Sequence, residues 1–186
     1  LATSIYRKEK RTTENLDFLI YRENQSEKIA RTILSELNLE VREARKANLE
    51  GGPVHAIKRN SSPIYILVGR KDGEIGVDFI LPEMPWSKQA LERAQSNLTT
   101  FNIIDLKLPC LTVEDILIAK FYSLGNDSSR HKDADDIQSI FKNDNPIDFS
   151  YLTAQMMALD LCVPRAAEKS VPAILLKTSK TIRRNI

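Results

Sequence analysis

Apolar and polar residues alternate most cleanly over residues 11–21, RTTENLDFLIY, where Leu16, Phe18 and Ile20 take turns with Asn15, Asp17 and Leu19. A two-residue period predicts a β-strand with one apolar face. The period then lengthens. Ser26 is placed to cap a helix ending near Asn38, whose Ile29, Ile33, Leu34 and Leu37 fall on one stripe. Residues 39–44 predict a short strand, and Gly51-Gly52-Pro53 is turn punctuation. Residues 54–57 and 64–68 read as two strands of a hairpin across the polar loop 59–63. Residues 69–73 make a tight connection into a further strand over 75–81, IGVDFIL.

Helical spacing dominates the second half. Pro82, Pro85 and Trp86 form a loop before a helix over 87–95 capped by Ser87, and Trp86 beside prolines reads as a packing anchor before a base-stacking platform. Residues 101–106 predict a weak strand. Thr112, with Asp115 three residues on, opens a helix running to Leu124 with Val113, Ile116, Leu117, Phe121 and Leu124 on its apolar stripe. Asp133 begins another helix, burying Ile137, Ile140 and Phe141. After a linker at 143–150, residues 151–161 and 171–181 read as two short helices around Pro164. At the other end, residues 1–6 suit the tail of a helix and residues 7–11 a charged connection.

The expected fold class is α+β: a small mixed sheet flanked by helices, with a helical C-terminal part. The division is placed at an α/β core over residues 1–110 and a helical part over 111–186. At 186 residues, 42% hydrophobic and 28% charged, the chain suits one core with an appendage. A net charge of +2 does not demand a nucleic-acid partner, although the basic end, 177–184, reads either as a phosphate-contacting tail or as a solvated terminus. Cys110 and Cys162 sit far apart in apolar surroundings, as reduced thiols of a cytoplasmic protein do. No apolar run approaches the roughly 18 residues of a membrane span.

Four places interrupt the apolar pattern with charge. Asn15 and Asp17, two apart on a strand, point the same way, so their oxygens can share one hard cation, or Asp17 can simply face solvent at a sheet edge. Asp78 is the lone charge of its strand, and a buried carboxylate is costly unless paired, metal-bound or capping an amide. Lys120 lies inside the stripe of its helix, where it either snorkels to water or aims its ammonium into a cleft. Asp133 and Asp136 flank the buried side of the next helix near its N-terminus, where acids also suit the helix dipole. His55 and His131 have no partners at zinc-ligand spacing.

Taken together, these motifs resemble the nucleotidyltransferase superfamily, in the branch that includes the AbiEii-type toxins. Arg11 and Thr13 match an Arg-x-Thr that precedes an Asp-x-Asp strand; Asp17 matches its second carboxylate, and Asn15 stands where the first would be. The segment LTVEDILIAKFYSLGND resembles the family's Glu-Asp-Leu-Ile helix bearing a lysine, and Lys132 to Asp136 its closing basic and acidic motif. The likeness covers roughly residues 1 to 141. It implies nucleotidyl transfer from a nucleoside triphosphate to an RNA or protein acceptor, assisted by two Mg²⁺ ions, with an antitoxin as a further partner. Asp17 and Asp78 would then be metal ligands beside Asn15. Arg11, Thr13, Lys120, Arg130, Lys132, Asp133 and Asp136 would line the nucleotide pocket. The other outcome is a nucleotide-binding or protein-interaction member of the fold that has lost turnover, since an amide lacks the charge of the carboxylate it replaces.

Overall fold

The computed structural model describes residues 2–9, 15–21, 23, 25–44, 65–81, 85–101 and 106–185. Its organising sheet has four strands in the order β1-β4-β3-β2: β1 (Asn15–Leu19), β2 (Glu40–Ala44), β3 (Tyr65–Arg70) and β4 (Gly76–Leu81). Strand β1 runs parallel to β4, whereas β3 is antiparallel to both β4 and β2, so the sheet is mixed as expected. The alternation read along β1 sorts the faces. Leu67, Val77, Phe79 and Leu81 form one apolar cluster with Ala30 and Leu34 of α2 (Ser26–Glu36) and with Leu39, and Phe18 stacks on Phe79 at the sheet edge. Asn15, Asp17, Gly76 and Asp78 belong to the opposite face, by the two-residue period of the strands.

Several boundaries differ from the sequence expectation. Of the predicted stripe on α2, Leu34 enters the core, but Ile29, Ile33 and Leu37 are 54%, 37% and 50% exposed. The helix is rolled so that small Ala30 and Leu34, four apart, meet the sheet at Gly69, where a Cβ would come within 2.5 Å of Leu34 Cδ2. Ser26 is already helical, and its hydroxyl donates to the Tyr21 carbonyl and accepts from the Glu23 amide. Residues 69 and 70 belong to β3, and the turn lies at 71–74, where Gly73 takes a left-handed φ of 77°. The expected strand 54–57 falls outside the described residues, and β3 lies between β2 and β4, antiparallel to each. In place of one strand at 101–106, β5 (Leu98–Phe101) pairs with β6 (Leu106–Pro109).

The second core is helical. It is built from α3 (Pro85–Ser96), α4 (Val113–Asn126), α5 (His131–Lys142), α6 (Phe149–Ala158), a 3₁₀ helix (Arg165–Ser170) and α7 (Ala173–Asn185). Helix α3 starts two residues before the expected Ser87, because a proline fits a first turn whose amide has no helical acceptor. Trp86 packs in this core, 5% exposed. Helix α4 is its axis: Leu117, Ile118 and Phe121 are fully buried, and Thr112 caps it by accepting from the Asp115 amide. The basic end is not a loose tail but the outer side of α7, whose Leu175, Ser179 and Ile182 face inward. A short α1 (Ala2–Tyr6) packs on α4 and α5, and its Tyr6 hydroxyl donates to the Leu111 carbonyl. No helix among the described residues is long and apolar enough to cross a membrane.

Candidate active site

Parallel pairing puts Asp17 and Asp78 directly opposite each other, with Asn15 opposite Gly76 one step earlier on the same face. Neighbouring strands lie about 4.8 Å apart, so the two carboxylates share one patch of the sheet. Asp78 is buried, and Arg70 at the end of β3 meets it with a two-pronged fork, Nη1–Oδ1 at 2.5 Å and Nη2–Oδ2 at 3.0 Å. The Asn15 amide nitrogen adds a longer bond of 3.4 Å to Oδ2. A side chain at Gly76 would displace these groups: a Cβ there would lie 2.5 Å from Arg70 Nη1 and 2.7 Å from Asn15 Oδ1. Asp17 lies on the exposed edge strand. Its carboxyl is pushed above the usual range by desolvation and by Asp78, while Lys120 and Arg70 pull it back.

That influence brings in Lys120, on α4. Its ammonium lies 2.5 Å from Asp133 Oδ1 and 2.8 Å from Asp136 Oδ2, both on α5 and both buried. Arg130 bonds the other oxygen of Asp133, and Arg7, just after α1, bonds Asp136. Among the described residues, three cations, Arg7, Lys120 and Arg130, meet these two carboxylates. The interruption of the apolar stripe is thus an ion cluster that ties α4 to α5, and Lys120 has a third ammonium hydrogen beyond those two contacts.

The structure therefore gathers the predicted residues in two groups, Asn15, Asp17 and Asp78 on the sheet and Lys120, Arg130, Asp133 and Asp136 on the helices. Lys132 is exposed beside the second group. Arg11 and Thr13 lie outside the described residues. Arg70 and Arg7 are absent from the sequence expectation. Arg70 sits in what reads as a turn, and Arg7 is separated from Asp136 by 129 residues, so only the lone Asp78 signalled that a cation had to be found nearby.

A metal site can be weighed against this donor set. Among the described residues no cluster of three His, Cys, Asp or Glu side chains could hold a metal ion. Asp78 already has both oxygens on Arg70, and Asn15 is neutral and turns its nitrogen toward Asp78. Asp17 makes no hydrogen bond with the described residues and remains the available anionic donor. Among the described residues Asp17 would thus be the anionic donor for one Mg²⁺ shared with water and substrate phosphates, and Asp78 would have to give up Arg70 to hold a second.

Comparison with known proteins bears on the whole chain. The family model described as nucleotidyl transferase AbiEii toxin, type IV TA system, matches residues 1–182. No curated protein matches the chain.

Proposed function

Because the chain belongs to the nucleotidyl transferase AbiEii toxin family of type IV toxin–antitoxin systems, we propose that it moves a nucleotide from a nucleoside triphosphate to a hydroxyl of an RNA or protein acceptor. The observation that carries this reading is the register pairing of Asp17 with Asp78 on one face of the sheet, with Lys120 among the charges that act on Asp17. In the reaction the acceptor hydroxyl gives up its proton to solvent, its oxygen bonds to the α-phosphorus, the bond from that phosphorus to the bridging oxygen of the β-phosphate breaks, and pyrophosphate leaves. Catalysis then consists chiefly of positioning and charge neutralisation. Asp17 would hold one Mg²⁺, which when bound neutralises triphosphate oxygens. Lys120, fixed by Asp133 and Asp136, offers its charge to the leaving pyrophosphate, and Arg130 and Lys132 extend the positive rim.

The test is incubation of the full chain with α-labelled nucleoside triphosphates and either RNA or protein acceptors. Label should transfer with the wild-type chain and be lost, by at least a hundredfold, with Asp17→Ala. Equal labelling by the two would remove Asp17 from the site. A second reading, nucleotide binding without turnover, is favoured by Asn15 at the first ligand position and by the Arg70 hold on Asp78. Calorimetric binding of nucleotide without any transfer would establish it.

A further inference from the structure

On the reading that this site takes a nucleoside triphosphate, we propose that Arg70 is the built-in cation of the site, neutralising Asp78 in place of a second divalent ion, and that the bare backbone of Gly76 is what admits it. The donor geometry favours this over an incidental surface pair. Arg70 delivers its guanidinium edge-on to both oxygens of a buried carboxylate, the arrangement in which an arginine is strongest and most specific. The same guanidinium donates to the Gly69 carbonyl at 2.8 Å, which anchors it to its own strand.

Gly76 supplies the independent observation. Its backbone has no left-handed φ to explain a glycine; the reason is steric. A Cβ would stand 2.5 Å from Arg70 Nη1 and 2.9 Å from Arg70 Cζ. Alanine at 76 could be accommodated only by the guanidinium swinging away from Asp78. Asn15 completes the arrangement: a carboxylate there would crowd a third anion against Asp17 and Asp78, whereas the amide donates to Asp78 Oδ2. A permanent guanidinium and a neutral amide thus leave the sheet with a single net negative charge among Asn15, Asp17, Arg70 and Asp78. That suits one divalent ion arriving with the triphosphate.

The experiment counts bound Mn²⁺ per chain by electron paramagnetic resonance while a non-hydrolysable nucleoside triphosphate is titrated in. Wild-type protein should bind the nucleotide with one Mn²⁺. Arg70→Met should weaken nucleotide binding about tenfold, Arg70→Lys should recover part of that loss, and Gly76→Ala should behave like Arg70→Met while keeping the wild-type circular dichroism. The double variant Asn15→Asp with Arg70→Met should take up a second Mn²⁺. Two Mn²⁺ on the wild-type chain, or unchanged affinity and stoichiometry in both Arg70→Met and Gly76→Ala, would overturn the proposal. Nucleotide binding by none of these proteins would instead remove the functional reading beneath it, and the proposal with it.

Discussion

Lys120 Nζ and Asp136 Oδ2 lie 2.8 Å apart, a lysine of one core helix closing on a fully buried carboxylate of the next. The contact joins α4 to α5, Asp133 and Arg130 extend it along α5, and Arg7 ties in the segment after α1. Whatever Lys120 does for a substrate, it also holds the fold.

Removing it should therefore be costly. Lys120→Met strands two buried carboxylates with less positive charge around them, and breaking a buried pair from one side typically costs about 3 kcal/mol. Urea denaturation should show a lowered midpoint with an unchanged slope. A loss below about 1 kcal/mol would mean that Arg7 and Arg130 suffice, and Lys120 would then belong to the substrate rather than to the core.

Two glycines of the sheet should respond in opposite ways to the same change. A Cβ at Gly69 meets Leu34 Cδ2 at 2.5 Å and Leu39 Cβ at 3.2 Å inside the apolar cluster, where both leucines are buried, so Gly69→Ala overpacks the core. We expect about 2 kcal/mol of destabilisation. At Gly76 the atoms in the way are the ends of flexible side chains, Arg70 and Asn15, which can swing aside. Gly76→Ala should change stability by no more than about 1 kcal/mol, in the range of a part-exposed ion pair. Equal losses in thermal or urea denaturation would contradict this separation.

These contrasts also show what the sequence conveyed and what it withheld. The strands at 15–19 and 76–81, the Thr112 cap and the stripe of α4 are local patterns, set by side-chain period and by one hydroxyl bonding an amide three residues away. They were legible. That Asp17 and Asp78 would come together was implied by the family resemblance and not by the local pattern, since their register depends on pairing across more than sixty residues. The roll of α2 was hidden because Ile29 and Ile33 look more like core residues than Ala30, and Gly69, far along the chain, decides otherwise. Arg70 was hidden for a similar reason. The sequence around it, Gly-Arg-Lys-Asp-Gly, reads as a turn, and only the neighbouring strand reveals its partner.

Asp17 stands where its charge is unfavourable to the fold. Its folded-state pKa is raised, first by desolvation and then by Asp78. A carboxyl with a raised folded pKa contributes stability below its unfolded pKa, near the usual 3.8, and that contribution is lost as pH rises through the folded value. At neutral pH the charged form is thus a liability, and Asp17→Asn should raise the melting temperature by about 1–2 °C, small because the residue is largely exposed. The gain should shrink as pH falls through the raised folded value and be gone below about 3.8. A melting temperature lowered at neutral pH would mean that Asp17 is structurally supported and not a site residue held against the preference of the fold.

Tyr151 should govern stability at the alkaline end. Its hydroxyl donates to Asp115 Oδ1 at 3.2 Å, and the Arg93 guanidinium that also bonds Asp115 lies 4.0 Å over the Tyr151 ring. Burial and the nearby Asp115 carboxylate both push its phenol above the ordinary value of 10.0. The unfolded phenol would therefore lose its proton first, so the native state is favoured fully below about pH 10 and loses that advantage as pH climbs toward the folded value. Tyr151→Phe removes one hydrogen bond to a carboxylate that keeps Arg93 and Thr112, which should cost about 1 kcal/mol at neutral pH. The same variant should flatten the decline of stability above pH 10. Denaturation at pH 7 and at pH 10.5 measures both effects, and an identical pH dependence in the two proteins would place the alkaline sensitivity elsewhere, with Tyr6 and Tyr122, whose phenols burial also raises, as the next to examine.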